Sequence, residues 1–278
     1  MAHTRAQHDR RTFSATAEPG PAGDGGALVR LLAVVAALLV LASVAFAGLA
    51  RVVSGNSIAA RAVRGLNHFT FTDREHNLWA WFSVLTLALL GAVFALHAVA
   101  QRRREGSPLP YAALGLVALG MSLDEDISLH EKLALLVPDR RSTFQWLVYG
   151  LPLAVVAGLV VLWVARKIDP ALRRKLLLAG AVYLLGAAVT EGIEAVVVLA
   201  QPSKSEALAS FAYVLSDALE ESLEVAGVLL AIRAALQFLH VRVTWAGAAA
   251  GAPTQAVSPA EPQAATAAEL PGTDAPTR

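Results

Sequence analysis

The sequence predicts an all-α, polytopic membrane bundle of about six transmembrane helices. Three observations carry that reading. Apolar residues make up 56% of the chain and fall in long blocks. Charged residues are only 16%, against about 25% in an ordinary soluble domain. The basic residues gather in short segments between the blocks.

Residues 1–26 form a polar tail rich in Gly, Pro, Ala and Thr, and residues 244–278 form a second low-complexity tail. Neither has enough large apolar surface to offset the entropy of ordering it, so both are read as disordered. The domain between them, 27–243, holds six apolar segments, at 28–49, 78–100, 109–130, 144–165, 176–199 and 207–239. A membrane span needs about 20 such residues. In the first segment, Ala45-Phe46-Ala47 has the small-x-small form of a signal-peptide cleavage site. However, 27 residues precede that segment, and it exceeds the roughly 7–15 residues of a signal core, so a retained span is the reading. Residues 51–77 form an outer loop containing an amphipathic surface helix around 58–66. The second segment opens with Trp79, Trp81 and Phe82, and the fourth carries Trp146 and Tyr149 near its start. The sixth is longer than a span requires, so it tilts or projects past the bilayer.

The basic residues orient the bundle. With a cytoplasmic N-terminus, the inner segments hold Arg102, Arg103 and Arg104, and then Arg166, Lys167, Arg173, Arg174 and Lys175. Such clusters in short loops mark the cytoplasmic side, which places both termini inside a bacterial inner membrane. Trp79, Trp81 and Trp146 then fall at the outer interface as an aromatic belt. Membrane lipid is therefore a partner. The net charge of +1 offers no nucleic-acid surface, and the absence of cysteine removes thiolate chemistry.

Ionisable residues recur within or beside four of the apolar segments: Asp73-Arg74-Glu75-His76-Asn77, Asp124-Glu125-Asp126 through His130-Glu131, Glu191 with Glu194, and Asp217, Glu220, Glu221 and Glu224. Such groups are costly in a membrane and face a bundle interior or a water-filled path. Steps of three and four place the last set on one helix face. The alternating topology gathers all four sets at middle-to-outer depth. Packed together the acids repel, so they call for protons, a bound cation, or both. The metal candidates are His130, Glu131, Glu191, Glu194, Asp217, Glu220, Glu221 and Glu224. Glu125 is the candidate base, and Glu75, His76, Asn77, Asp124 and Asp126 are supporting polar groups. The plain alternatives are a solvated helix end at 124–131 and a structural hydrogen-bond network on the last helix. His68 and His240 read as interfacial bystanders, and His97 has no acidic neighbour.

Three motifs carry a resemblance: Asp73, Glu75 and Asn77 with Trp81-Phe82-Ser83; Leu123-Asp124-Glu125 with Leu129-His130-Glu131; and Glu220-Glu221, Glu224 and Gly227. Over about 70–237 the chain resembles a family of uncharacterised bacterial multipass membrane proteins, a likeness that implies the class without an activity. It is more distantly similar to intramembrane metal-dependent lipid hydrolases, although those use several histidines. It is also similar to carboxylate-rich di-metal bundles, although their Glu-x-x-His spacing is missing here.

Three functions stay open. The first is a site for a cation, either protons or a divalent metal ion, used in transport or sensing. The second is a metal-dependent hydrolase acting on a lipid or lipid-linked substrate. The third is a structural or assembly role.

Overall fold

A computed structural model describes residues 13–16, 25–74, 76–129, 132, 147–203, 206, 210–239 and 242–245. The chain divides into two compact units, one of residues 15–243 and one of residues 1–14 with 244–278. Two four-residue strands, β1 (Phe13–Thr16) and β2 (Arg242–Trp245), pair in a small sheet. The remainder of both tails lies outside the described residues.

The larger unit is helical. Its elements are α1 (Gly26–Val52), α2 (Ile58–Thr70), α3 (Leu78–Arg103), α4 (Leu109–Ile127), α5 (Leu147–Ala165), α6 (Pro170–Leu185), α7 (Glu191–Leu199) and α8 (Phe211–Phe238). A π turn, Gly186–Thr190, joins α6 to α7 in one continuous rod. Counting that rod once, the described residues form a bundle of seven helices.

Local chemistry sets the ends. Ser57, Asn77 and Ser210 cap α2, α3 and α8 by accepting the backbone N–H three residues on. Asp169 caps α6, where Pro170 needs no N–H partner. The third apolar segment stops at Ile127, because Ser128 turns left-handed at φ 46°.

The helix α8 is central and packs on α1, α3, α6 and α7. Missing side chains permit its closest approach. A Cβ on Gly227 would lie 2.8 Å from both the Ala179 carbonyl and the Tyr183 backbone nitrogen of α6. Gly91 and Gly115 play the same part between α3 and α4, where a Cβ on either would sit 3.2–3.3 Å from the other's carbonyl. At the far end of α1, Arg51 donates to the Ala47 carbonyl at 2.6 Å and the Ser210 carbonyl at 2.9 Å, which ties α1 to the start of α8.

The expectation of six spans needs correction. Among the described residues, two helices, α1 and α3, are long and apolar enough to cross a membrane. Of the others, α5 counts as a shorter apolar helix over Val155–Ala165, and three more fall short for identifiable reasons. The helix α4 ends in Asp124-Glu125-Asp126, and α8 carries four acids in its first half. The π turn interrupts the fifth apolar segment, leaving α-helices of 16 and 9 residues, the first of which starts before it at Pro170. Yet large apolar side chains point outward on the weaker helices too, including Leu116 at 70%, Leu159 at 61% and Leu184 at 62% exposure. Leu31, Leu38 and Leu41 do the same on α1.

Candidate carboxylate site

The site begins where the loop before α3 meets α8. Ser43 of α1 is buried and lies 3.3 Å from the Thr72 hydroxyl, and its own oxygen accepts the Thr72 N–H at 3.2 Å. The Thr72 hydroxyl donates to the Asp217 carboxylate. Asp217 is itself buried. The Tyr213 hydroxyl donates to the Asp73 carboxylate at 3.1 Å. Asn77 stiffens this loop, bonding the Phe71 carbonyl at 2.6 Å and the Ala80 N–H at 3.0 Å.

One turn along α8, Glu221 accepts the indole N–H of Trp79 at 2.7 Å. A further step reaches Glu224, which stands near enough to interact with Tyr183 of α6. Glu125 of α4 stands near enough to interact electrostatically with Glu221 and Tyr183. The backbone of α8 thus lines up Asp217, Glu221 and Glu224, and neutral donors from other elements meet the first two. Gly186 lets the π turn press against this face, since a Cβ there would lie 3.0 Å from the Glu220 carbonyl and 3.2 Å from Glu224 Cγ.

The structure therefore brings together Asp73, Glu125, Asp217, Glu221 and Glu224 from the sequence candidates. Glu220 and Asp124 are half-buried beside them, whereas Asp126 and His76 are exposed. Asn77 serves as the cap of α3. Glu191 opens α7 and Glu194 follows one turn later. Glu75, His130 and Glu131 lie outside the described residues, as do Trp146 and His240. Because α8 begins at Phe211, Asp217 sits about 9 Å along it at 1.5 Å per residue, shallower than a helix from 207 would place it.

One reading changes. Trp79 is 1% exposed and bonded to Glu221, so it belongs to the interior and not to an aromatic belt, while Trp81 is 64% exposed. Also, among the described residues, no group of three or more His, Asp or Glu side chains is placed to hold a metal ion. His97 is buried, 2.8 Å from the Ala235 carbonyl and stacked on Tyr111. His68 is exposed and paired with Arg74 at 2.8 Å.

Sequence reading missed the polar partners Ser43, Thr72, Tyr183 and Tyr213. A signal existed for one of them, because Ser43 is the sole polar residue of the first apolar segment after Arg30.

Residues 31–239 match the family described as a domain of unknown function, DUF8692. The chain belongs to this family. The DUF8692 match takes in most of α1 and all of α2, which the sequence resemblance had left aside, and it omits both tails. Comparison with curated proteins and with solved structures found no match.

Proposed function

We propose that the protein is a multipass protein of a bacterial inner membrane that binds cations, protons foremost, on the carboxylates of α8 for transport or sensing. One observation carries the reading: Asp217, Glu221 and Glu224 share a helix face, and the donors to Asp217 and Glu221 include a hydroxyl and an indole. Such donors orient a carboxylate without cancelling its charge. Between Lys175 and Arg233 the sequence offers Lys204 as its one basic Lys or Arg residue. Acids packed on one helix face favour bound protons or a cation. The membrane setting is supported by α1 and α3 and by the outward-facing leucines of the other helices, since soluble monomers rarely expose broad apolar surface. The site lies toward the end of the bundle where α8 begins, the outer side by the basic-loop argument. A divalent ion would need ligands beyond the group described, for which Glu191, Glu194, His130 and Glu131 are the candidates.

Trp79 supplies an internal probe. Its emission in reconstituted vesicles is expected to change with external pH as Glu221 titrates, and the change should vanish in Glu221→Gln and in Trp79→Phe. A pH response that survives both substitutions in folded protein rules out a titrating site at Glu221. Elemental analysis of purified protein beside Glu220→Ala and His130→Ala separates the ions. Stoichiometric metal lost in both variants would replace protons with a divalent ion.

A further inference from the structure

The helix α2 has three different faces. Ala60, Val63, Asn67 and Thr70, spaced by three and four, are buried or half-buried and form the inward side, where α2 packs on α1. Arg61, Arg64 and His68 form a second side that is exposed, and Ile58–Thr70 contains no Asp or Glu to offset them. The third side is apolar and exposed, with Ile58 at 79%, Phe69 at 59%, and Ala62 and Leu66 between them. The sequence marks this helix only to about 66, and the structure adds Phe69 to its apolar side. We propose that this third face is seated in the lipid leaflet at its end of the bundle, with Arg61 and Arg64 on the phosphates of anionic phospholipid. The inference rests on the membrane reading above.

The place of α2 in the chain selects lipid as the occupant. It hangs between α1 and α3, the two helices long and apolar enough to cross a membrane. Its connectors, 53–57 and 71–77, are short, and the first cannot carry Ile58 more than about 20 Å from α1. Beyond Thr70 the chain returns to α1 at Ser43, whose oxygen the Thr72 N–H reaches at 3.2 Å. Ser43 stands nine residues before Val52, the end of α1, or about 14 Å at 1.5 Å per residue. The helix therefore slopes from the end of α1 toward the middle of the bilayer, and Phe69 lies deeper than Ile58.

The arginines reach the opposite way. Arg61 donates to the Asn56 carbonyl at 3.2 Å, and both terminal nitrogens of Arg64 donate to the Gly55 carbonyl at 3.2 Å. Both acceptors lie in the connector before α2, so the charged heads point toward the shallow end of the slope. A basic side chain beside lipid behaves in this way, its stem along apolar surface and its head at the phosphates. A guanidinium has five N–H donors in a planar fork, so one carbonyl leaves room for a phosphate. His68, the third basic group on this side, is paired with Arg74 at 2.8 Å.

Full-length protein reconstituted in phospholipid vesicles tests this. The chain has no cysteine, so Ala62→Cys, Phe69→Cys and Arg64→Cys each accept one thiol-reactive fluorophore. Lipid carrying a nitroxide on its acyl chain should quench the Ala62→Cys and Phe69→Cys labels more than iodide does with iodide on both sides, and the order should reverse at Arg64→Cys. For the Ala62→Cys label, nitroxide phosphatidylglycerol should quench more than nitroxide phosphatidylcholine. Adding Arg61→Gln or Arg64→Gln should lower that preference by up to about five-fold each, while Arg174→Gln, on α6, should leave it unchanged. Iodide quenching of the Ala62→Cys and Phe69→Cys labels as strong as at Arg64→Cys puts the face in water, and protection from both quenchers puts it under protein. Either result overturns the lipid seat, and so does equal quenching by the two lipids. Alkaline carbonate extraction separates the two levels. Protein that stays in the membrane with its α2 labels in water defeats the lipid seat alone, and protein that is stripped off defeats the membrane reading with it.

Discussion

Thr72 holds the junction between α1, the loop before α3, and α8, because its hydroxyl and N–H engage Ser43 and Asp217 together. Replacing it by valine keeps the shape and removes the donor, leaving a buried carboxylate less well satisfied. The expected loss is about 1–3 kcal/mol, toward the lower end if partners also exist in the unfolded membrane state. Thermal unfolding in detergent should show a lower midpoint for Thr72→Val and a nearly normal one for Thr72→Ser. A serine variant that falls as far as valine would mean that packing, and not the hydroxyl, matters there. The acids of this site were legible in the sequence because a carboxylate inside an apolar block is conspicuous. Their partners were not. Thr72, Tyr183 and Tyr213 are ordinary at their positions, and nothing in a single chain says which of them folds onto which acid. Trp79 shows the same limit, since a tryptophan opening an apolar helix suits a membrane interface as well as it suits a buried carboxylate.

At the scale of the helix, the close approach of α6 and α8 depends on Gly227. An added Cβ would meet backbone atoms of Ala179 and Tyr183 at 2.8 Å, and backbone cannot yield as a flexible side chain does. Gly227→Ala is therefore expected to cost about 1–3 kcal/mol as overpacking, and to separate Tyr183 from Glu224. Gly120→Ala is the control. Nothing lies within 4 Å of its added Cβ, so relief of helix entropy should stabilise by about 0.5–1 kcal/mol. Melting curves for the two variants that move together would refute the close-contact account. Most helix positions followed from apolar blocks, and Gly227 stood in the Glu-Glu-x-x-Glu-x-x-Gly motif. The π turn did not follow from anything. Gly186–Thr190 has the composition of any helix interior, and the extra residue per turn arises from how α6 meets α8, where Gly186 abuts the Glu220 carbonyl.

Across the whole molecule, the acids and the basic loops occupy opposite ends of the bundle, and one orientation settles which compartment each faces. The helices α3 and α4 form a hairpin joined at Arg104 to Pro108, while α1 and α3 are connected through α2 at the other end. If α1 and α3 both cross the membrane, Asn56 and Arg103 must lie on opposite sides of it. The proposed orientation, read from the basic cluster 102–104, has Arg103 in the cytoplasm. Span counting from composition alone stumbled because the carboxylates that make α4 and α8 interesting also make them poor apolar helices. Accessibility avoids that confusion by reading sidedness directly. The chain has no cysteine, so Asn56→Cys and Arg103→Cys each create a single label site. In intact cells an impermeant maleimide should label Asn56→Cys and leave Arg103→Cys unlabelled until the membrane is opened. The reverse pattern would turn the bundle over, placing the α8 carboxylates toward the cytoplasm. Labelling of both sites in intact cells would mean that α3 does not cross at all. The buried link from Trp79 to Glu221 would then sit in a protein interior that owes nothing to lipid.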